Sequence, residues 1–298
     1  MNKLLIAIIC FLAACNNAAD EKQPPPLAKL IVENNGVNID FTESGSGDTT
    51  LLFIHGWNIN KEYWDAQIDF FSNNYRVVAI DLPGFGKSGK NRGKWSVEEF
   101  GNDVQSVKKA LNLKNVVLIG HSMSGAIIVE TAIAHPEQII AVVGIDNFQF
   151  VGYNWTAKDS ADFKTIYKEL ETNYRVSVKE MAEKNLFSPS TDSAIKNRVI
   201  KDFVTADSAL AVKALRACDT YPLDQRLTSL NKTLYLVNSN FRQTDTTGLI
   251  KLKIPFSLHE VGPTGHYPMI ENAALFNAQL QEVLKEIRKL PQPPFSAH

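Results

Sequence analysis

The sequence predicts an α/β protein: a mostly parallel central sheet, helices on both faces, and a helical insertion between two of its strands. Three observations carry that expectation. Short runs rich in Val, Ile and Leu alternate with longer amphipathic stretches along most of the chain. The runs at 51–54, 116–119 and 139–145 are apolar rather than alternating, as strands buried on both faces are. His55, Asp81, Ser122 and Asp146 all lie at the C-terminal ends of these runs, where such sheets bind ligands. Composition agrees, with 298 residues, 44% hydrophobic and 21% charged, enough for a sizeable core. A formal net charge of −1 implies no general pull on polyanions, so no nucleic-acid partner is expected.

Taken in order, the chain opens with a targeting segment. Met1-Asn2-Lys3 is a short positive start, and residues 4–14 are apolar but too short to span a bilayer comfortably. Residues 1–14 have the shape of a signal peptide. The run closes in Leu12-Ala13-Ala14-Cys15, which resembles the bacterial lipobox. That resemblance implies cleavage before Cys15 and acyl chains such as palmitate on Cys15. The expected product is an exported lipoprotein anchored to, not spanning, a cell-envelope membrane. Residues 15–27, with Pro24-Pro25-Pro26, read as an extended tether. Cys10 would leave with the signal, so Cys218 alone remains in the folded part. No intrachain disulfide is expected there, and Cys218, in a helical pattern, reads as a packed apolar residue.

The folded part begins near residue 28. Residues 30–33 and 37–41 flank Asn34-Asn35-Gly36, a hairpin signal. Residues 50–54 form a buried strand ending in His55-Gly56-Trp57, followed by an amphipathic helix over about 61–73. Residues 75–81 are a further strand, and Leu82 to Ser88 a glycine-bearing loop of structural character. Ser96-Val97-Glu98-Glu99 is a capping box that opens a helix to about Leu111. Strands follow at 116–119 and 139–145, with an apolar helix at 126–134 between them. The pattern changes over 147–226, where strand signals give way to helical stretches near 160–171, 178–186, 193–204 and 208–218. It resumes with strands at 233–237 and 256–261 and a final amphipathic helix over about 273–290. Residues 291–298 read as a loose tail. The core would thus comprise 28–146 and 227–290.

Between the strand at 116–119 and its helix lies Gly120-His121-Ser122-Met123-Ser124-Gly125. So tight a turn strains its central residue, lifts the hydroxyl clear of the sheet and sets it at a helix N-terminus. At these residues the sequence resembles the α/β-hydrolase family and its nucleophile elbow, Gly-x-Ser-x-Gly. Ser124 stands where the second glycine is usual, so the motif also reads with Ser124 as nucleophile. Ser122 follows the strand directly, as the family turn does. The resemblance spans about residues 28–290 and implies that 147–226 is a helical cap. It also implies the order nucleophile, acid, histidine. His266, in Gly262-Pro263-Thr264-Gly265-His266 after the last strand, fits the histidine. The acid stays open between Asp146, after the strand at 139–145, and Asp245. The strand after the insertion ends Val237-Asn238-Ser239-Asn240 with no carboxylate.

By the same resemblance, the backbone amides of Trp57 and Met123 would form an oxyanion hole. Phe148, Phe150, Tyr153 and Trp155 stand where the cap begins, as pocket wall or cap core. The resemblance implies a serine hydrolase acting on a small-molecule acyl substrate with an ester-like bond, through Ser122, His266 and Asp146. It leaves room for lactonase, C–C hydrolase, peptidase or perhydrolase chemistry, or for small-molecule binding without turnover. Metal-ligand spacing and a dinucleotide fingerprint are missing from the sequence, so no metal and no cofactor is expected.

Overall fold

A computed structural model describes residues 31–289. The expected signal peptide at 1–14, lipidated Cys15, the tether and the tail at 291–298 lie outside the described residues. In chain order the strands are β1 (Val32–Asn34), β2 (Val37–Ile39), β3 (Phe41–Ser44), β4 (Thr50–Ile54), β5 (Arg76–Ile80), β6 (Val116–His121), β7 (Ile139–Ile145), β8 (Leu234–Ser239) and β9 (Phe256–Val261). Helices α1 (Asp65–Phe71), α2 (Val97–Ala110) and α3 (Ser124–Ala134) precede β7. Five more, α4 (Ala157–Thr172), α5 (Tyr174–Asn185), α6 (Ser193–Thr205), α7 (Ser208–Asp219) and α8 (Leu223–Leu227), fall between β7 and β8. Last come α9 (Thr247–Lys251), α10 (Pro268–Glu271) and α11 (Ala273–Lys289).

β1 and β2 form the expected hairpin, antiparallel, with Val32 opposite Ile39. Asn35 (φ 51°) and Gly36 (φ 79°) both take the left-handed conformation that a two-residue turn needs. Phe41 does not extend this hairpin as its sequence suggests. It starts β3, which crosses to the main sheet and pairs antiparallel with β5. The main sheet runs β3-β5-β4-β6-β7-β8-β9, and every neighbouring pair but the first is parallel. All residues of β4, β6 and β8 are buried, so both faces of the sheet are covered. α2 packs on α3, and α1 on α11.

Differences from expectation are local. The helix read over 61–73 starts as a 3-10 turn, Lys61–Trp64, capped by the Asn60 side chain on the Glu62 amide at 2.9 Å. It continues as α1 only to Phe71. Ser96 caps α2 by accepting from the Glu99 amide at 3.3 Å, while Glu99 turns to the hairpin tip and accepts from Asn35 at 3.3 Å. α9 and α10, of five and four residues, have too few turns to leave a period in the sequence.

The loop after β4 ties the inserted helices to the strand ends. Trp57 Nε1 donates to the Ala211 carbonyl at 2.8 Å, Asn58 Nδ2 to the Tyr174 hydroxyl at 2.8 Å, and the Tyr63 hydroxyl to Asp202 at 2.7 Å. Helices α5, α6 and α7 are therefore held over the C-terminal ends of the parallel strands.

Candidate active site

The turn from β6 into α3 stands Ser122 in left-handed backbone geometry, φ 52°, a conformation that costs a non-glycine residue energy. Its surroundings hold it there. The Ser122 amide donates to the Ile145 carbonyl at 2.9 Å, and the Gly125 amide returns to the Ser122 carbonyl at 2.9 Å. The departure from the usual elbow at Ser124 has a use. Ser124 is fully buried, and its hydroxyl donates to the His55 carbonyl at 2.5 Å, tying the elbow to the loop after β4. That bond commits the Ser124 side chain elsewhere, and Ser122 is the serine that meets His266. Two glycines permit the packing. A Cβ on Gly56 would lie 2.5 Å from His121 Nδ1, and one on Gly120 would lie 2.8 Å from the Ser124 carbonyl oxygen.

His266 sits in the loop after β9, where four bonds fix the backbone around it. Its amide donates to the Leu186 carbonyl at 2.8 Å, and its own carbonyl accepts from His121 Nε2 at 2.8 Å. The carboxylate of Glu271 accepts from the amides on either side, Gly265 at 2.7 Å and Tyr267 at 3.1 Å. The Thr191 hydroxyl joins the same carboxylate at 2.5 Å. The ring then has one orientation: Nε2 lies 2.8 Å from Ser122 Oγ, and Nδ1 bonds Asp146 Oδ2. A carboxylate on Nδ1 fixes the proton there by inference from its partner, which leaves the Nε2 lone pair facing the serine hydroxyl.

Asp146 follows β7 with φ 45°. Its Oδ1 accepts from the Ser239 amide at 2.9 Å and from Gln149 Nε2 at 3.2 Å. The structure thus brings Asp146, and not Asp245, to the imidazole. Asp245 is exposed and accepts from the Thr247 amide at 2.9 Å, a bond that lowers its pKa. The end of β8 contributes a backbone amide to the site instead of a carboxylate.

Met123 is the N-cap of α3, next to Ser122, and Trp57 is buried in the loop after β4. With Ser122 and His266 both line a cavity of about 480 Å³. The Trp57 ring also stacks edge-on against Phe203 of α6, with centroids 5.4 Å apart, so it touches the inserted helices and the cavity together. Phe148 and Phe150 line the cavity as well. Tyr153 and Trp155 stay on the surface in edge-to-face contact at 4.9 Å.

His55 and Asp81, the other two strand-end candidates, have structural partners. His55 Nδ1 pairs with the Gly56 carbonyl at 2.7 Å and its Nε2 with the Leu82 amide at 3.0 Å; burial lowers its pKa. Asp81 accepts from the Lys61 amide at 2.8 Å, Lys61 Nζ at 2.9 Å and the Lys87 amide at 2.8 Å. Glu271, Gln149 and Asn147 were not among the candidates read from the sequence. Asn147 donates from its amide group to the Gly120 carbonyl at 2.9 Å. These residues act through tertiary contacts that carry no spacing signal.

A family model described as "alpha/beta hydrolase fold" matches residues 49–273. Among curated proteins, a non-heme chloroperoxidase of Streptomyces lividans is 35% identical over 97 residues, 32% of this chain and 35% of that protein. A pimeloyl-[acyl-carrier protein] methyl ester esterase of Citrobacter koseri is 33% identical over 101 residues, 34% of this chain and 38% of the relative. The chain spans well under half the length of these relatives. Among solved structures, a thermophilic esterase from Thermogutta terrifontis superposes with a TM-score of 0.73 at 18% identity, over 86% of this chain and 97% of that one. That likeness is one of fold.

Proposed function

Because the chain belongs to the α/β-hydrolase fold family, we propose that it is a serine hydrolase cleaving an ester-like acyl bond, with Ser122 as nucleophile, His266 as base and Asp146 as the acid that orients it. One observation carries the reading: a single imidazole meets the Ser122 hydroxyl at 2.8 Å on Nε2 and the Asp146 carboxylate on Nδ1. A serine hydroxyl is a weak nucleophile until such a base takes its proton.

In the proposed cycle Ser122 Oγ attacks the substrate carbonyl carbon while His266 Nε2 takes the hydroxyl proton. Asp146 stabilises the imidazolium that forms. The tetrahedral oxyanion accepts from the Trp57 and Met123 amides, aided by the N-terminus of α3. Collapse expels the alcohol oxygen, which takes the proton back from His266 and leaves an acyl group on Ser122. Water, deprotonated by His266, then attacks the acyl carbon and frees the acid and Ser122. The mainly apolar cavity suits a small acyl group.

Hydrolysis of p-nitrophenyl acetate and butyrate tests this directly. Turnover should be lost in Ser122→Ala. A folded wild type inert on these and on a wider ester and lactone panel would instead favour small-molecule binding without turnover.

We also propose that the protein is exported and held at a membrane through acyl chains on Cys15, a reading supported by the order of apolar run, small residues and cysteine. Palmitate labelling of the full chain should disappear in Cys15→Ser.

A further inference from the structure

We propose that Arg242 forms a carboxylate-binding subsite at the rim of the Ser122 cavity, so that the substrate is an acyl ester that also carries an anionic group. This rests on the Ser122 hydrolase reading and narrows its substrate class.

The cavity wall is largely apolar, with Met123, Phe148, Leu186 and Phe203 among its residues. Besides the histidines, its lining contains two ionisable side chains with a charge to offer, Arg242 and Asp219. Arg242 stands in the loop between β8 and α9. Its Nη2 donates to the Asn185 carbonyl at 3.0 Å and to Asn185 Oδ1 at 3.2 Å. Both acceptors are neutral, so they position the guanidinium without compensating its charge. A guanidinium has five N–H donors, and among the described residues Arg242 has no other hydrogen bond and no carboxylate within 4.0 Å. Arg76, Arg92, Arg216 and Arg226, by contrast, each pair with a glutamate or aspartate. A planar fork already held on one side suits a carboxylate on the other.

Position links this group to the reaction centre. Asn185, which holds Arg242, is followed by Leu186, whose carbonyl accepts the His266 amide at 2.8 Å. Standard chain dimensions put the guanidinium within roughly 10 Å of the His266 backbone. The His266 side chain and its 2.8 Å contact with Ser122 Oγ add roughly 7 Å, so a substrate with its scissile carbonyl at Ser122 and a carboxylate on Arg242 has a spacer of at most about eight atoms.

Asp219 does not cancel this cation. Its Oδ2 accepts from the Tyr167 hydroxyl at 2.6 Å, between α7 and α4, and Arg216 lies over the Tyr167 ring at 4.1 Å. Burial raises its pKa, and among the described residues no ion pair joins it to Arg242.

The test compares methyl half-esters of succinate, adipate, suberate and sebacate with the methyl esters of the matching amide acids, using the full chain. At least one half-ester should exceed its amide analogue about tenfold in kcat/KM. Arg242→Met should lower that ratio about tenfold through KM, Arg242→Lys should recover part of it, and 0.5 M salt should weaken the preference in the wild type. A wild-type ratio near one overturns the proposal while leaving the hydrolase reading intact. So does an equal loss on both esters in Arg242→Met, or a preference for amine-bearing esters, which would point to Asp219. If no ester of either kind is turned over, the hydrolase reading fails and this inference fails with it.

Discussion

His121 Nε2 donates a hydrogen bond to the carbonyl of His266 at 2.8 Å. The residue before Ser122, the proposed nucleophile, thus grips the backbone of the proposed base. Burial, with His266 beside it, holds the His121 pKa well below the usual imidazole range, so the ring is neutral. Nδ1 has no hydrogen-bond partner among the described residues and lies against Gly56. The elbow and the histidine loop are therefore one unit, and changes to either should read out in the other.

The acid is the first thing to check. Asp146→Asn should lower kcat by about 10³- to 10⁴-fold, since an amide no longer fixes the imidazole tautomer. Asp245→Asn should leave kcat within about twofold, because Asp245 only caps a surface turn. The reverse pattern in steady-state ester hydrolysis would move the acid.

Gly56→Ala should be far more harmful than its size suggests. The added Cβ would sit 2.5 Å from His121 Nδ1 and 3.1 Å from Ser122 Cβ. The elbow must shift to admit it, at about 1–3 kcal/mol of stability and with kcat reduced on the order of 10²-fold. Thermal denaturation and kinetics on the same preparation separate the two effects.

Glu271→Gln should cut kcat about ten- to a hundredfold with little change in KM. One oxygen then has to replace two that now accept from Gly265, Tyr267 and Thr191. A drop in KM-dependent binding alone would contradict a role in holding His266.

Asp103 should tilt stability with pH. It is buried against Arg92 and Asn34, and burial pushes its pKa from 3.8 up to about 6. The folded chain holds this proton more tightly than the unfolded one. Its contribution is therefore fully present below about pH 4 and lost as pH rises through 6. The stability difference between wild type and Asp103→Asn should shrink by up to about 3 kcal/mol between pH 4 and 7. A difference that stays flat across urea titrations in that range would refute the raised value.

The strands were the most legible part of the chain. β4 and β7 lie where their apolar runs placed them, because buried parallel strands need continuous apolar residues whatever their neighbours, and β9, a partly buried edge strand, also lies at its expected residues. Ser122 and His266 were legible for a related reason: each lies at a strand end in a turn of small residues. The acid was ambiguous because β7 and β8 are adjacent parallel strands, so either end can reach the same imidazole. What favours Asp146 is Ser239, whose amide supports its carboxylate, and a backbone donor has no residue code. Phe41 misled because β2 and β3 are nearly continuous in sequence, while their partners lie in different sheets. The clamp around His266 was invisible since Leu186, Thr191 and Glu271 meet only in three dimensions.

The bond from the His266 amide to the Leu186 carbonyl joins the reaction centre to the end of α5. A swing of these helices wide enough to admit a bulky molecule would pull on the very backbone that aims the imidazole. Access and reactivity would then be mutually exclusive states, and an enzyme caught gaping would idle rather than hydrolyse whatever wandered in. Its selectivity would lie partly in timing: only a guest small enough to let the helices resettle meets an assembled set of groups.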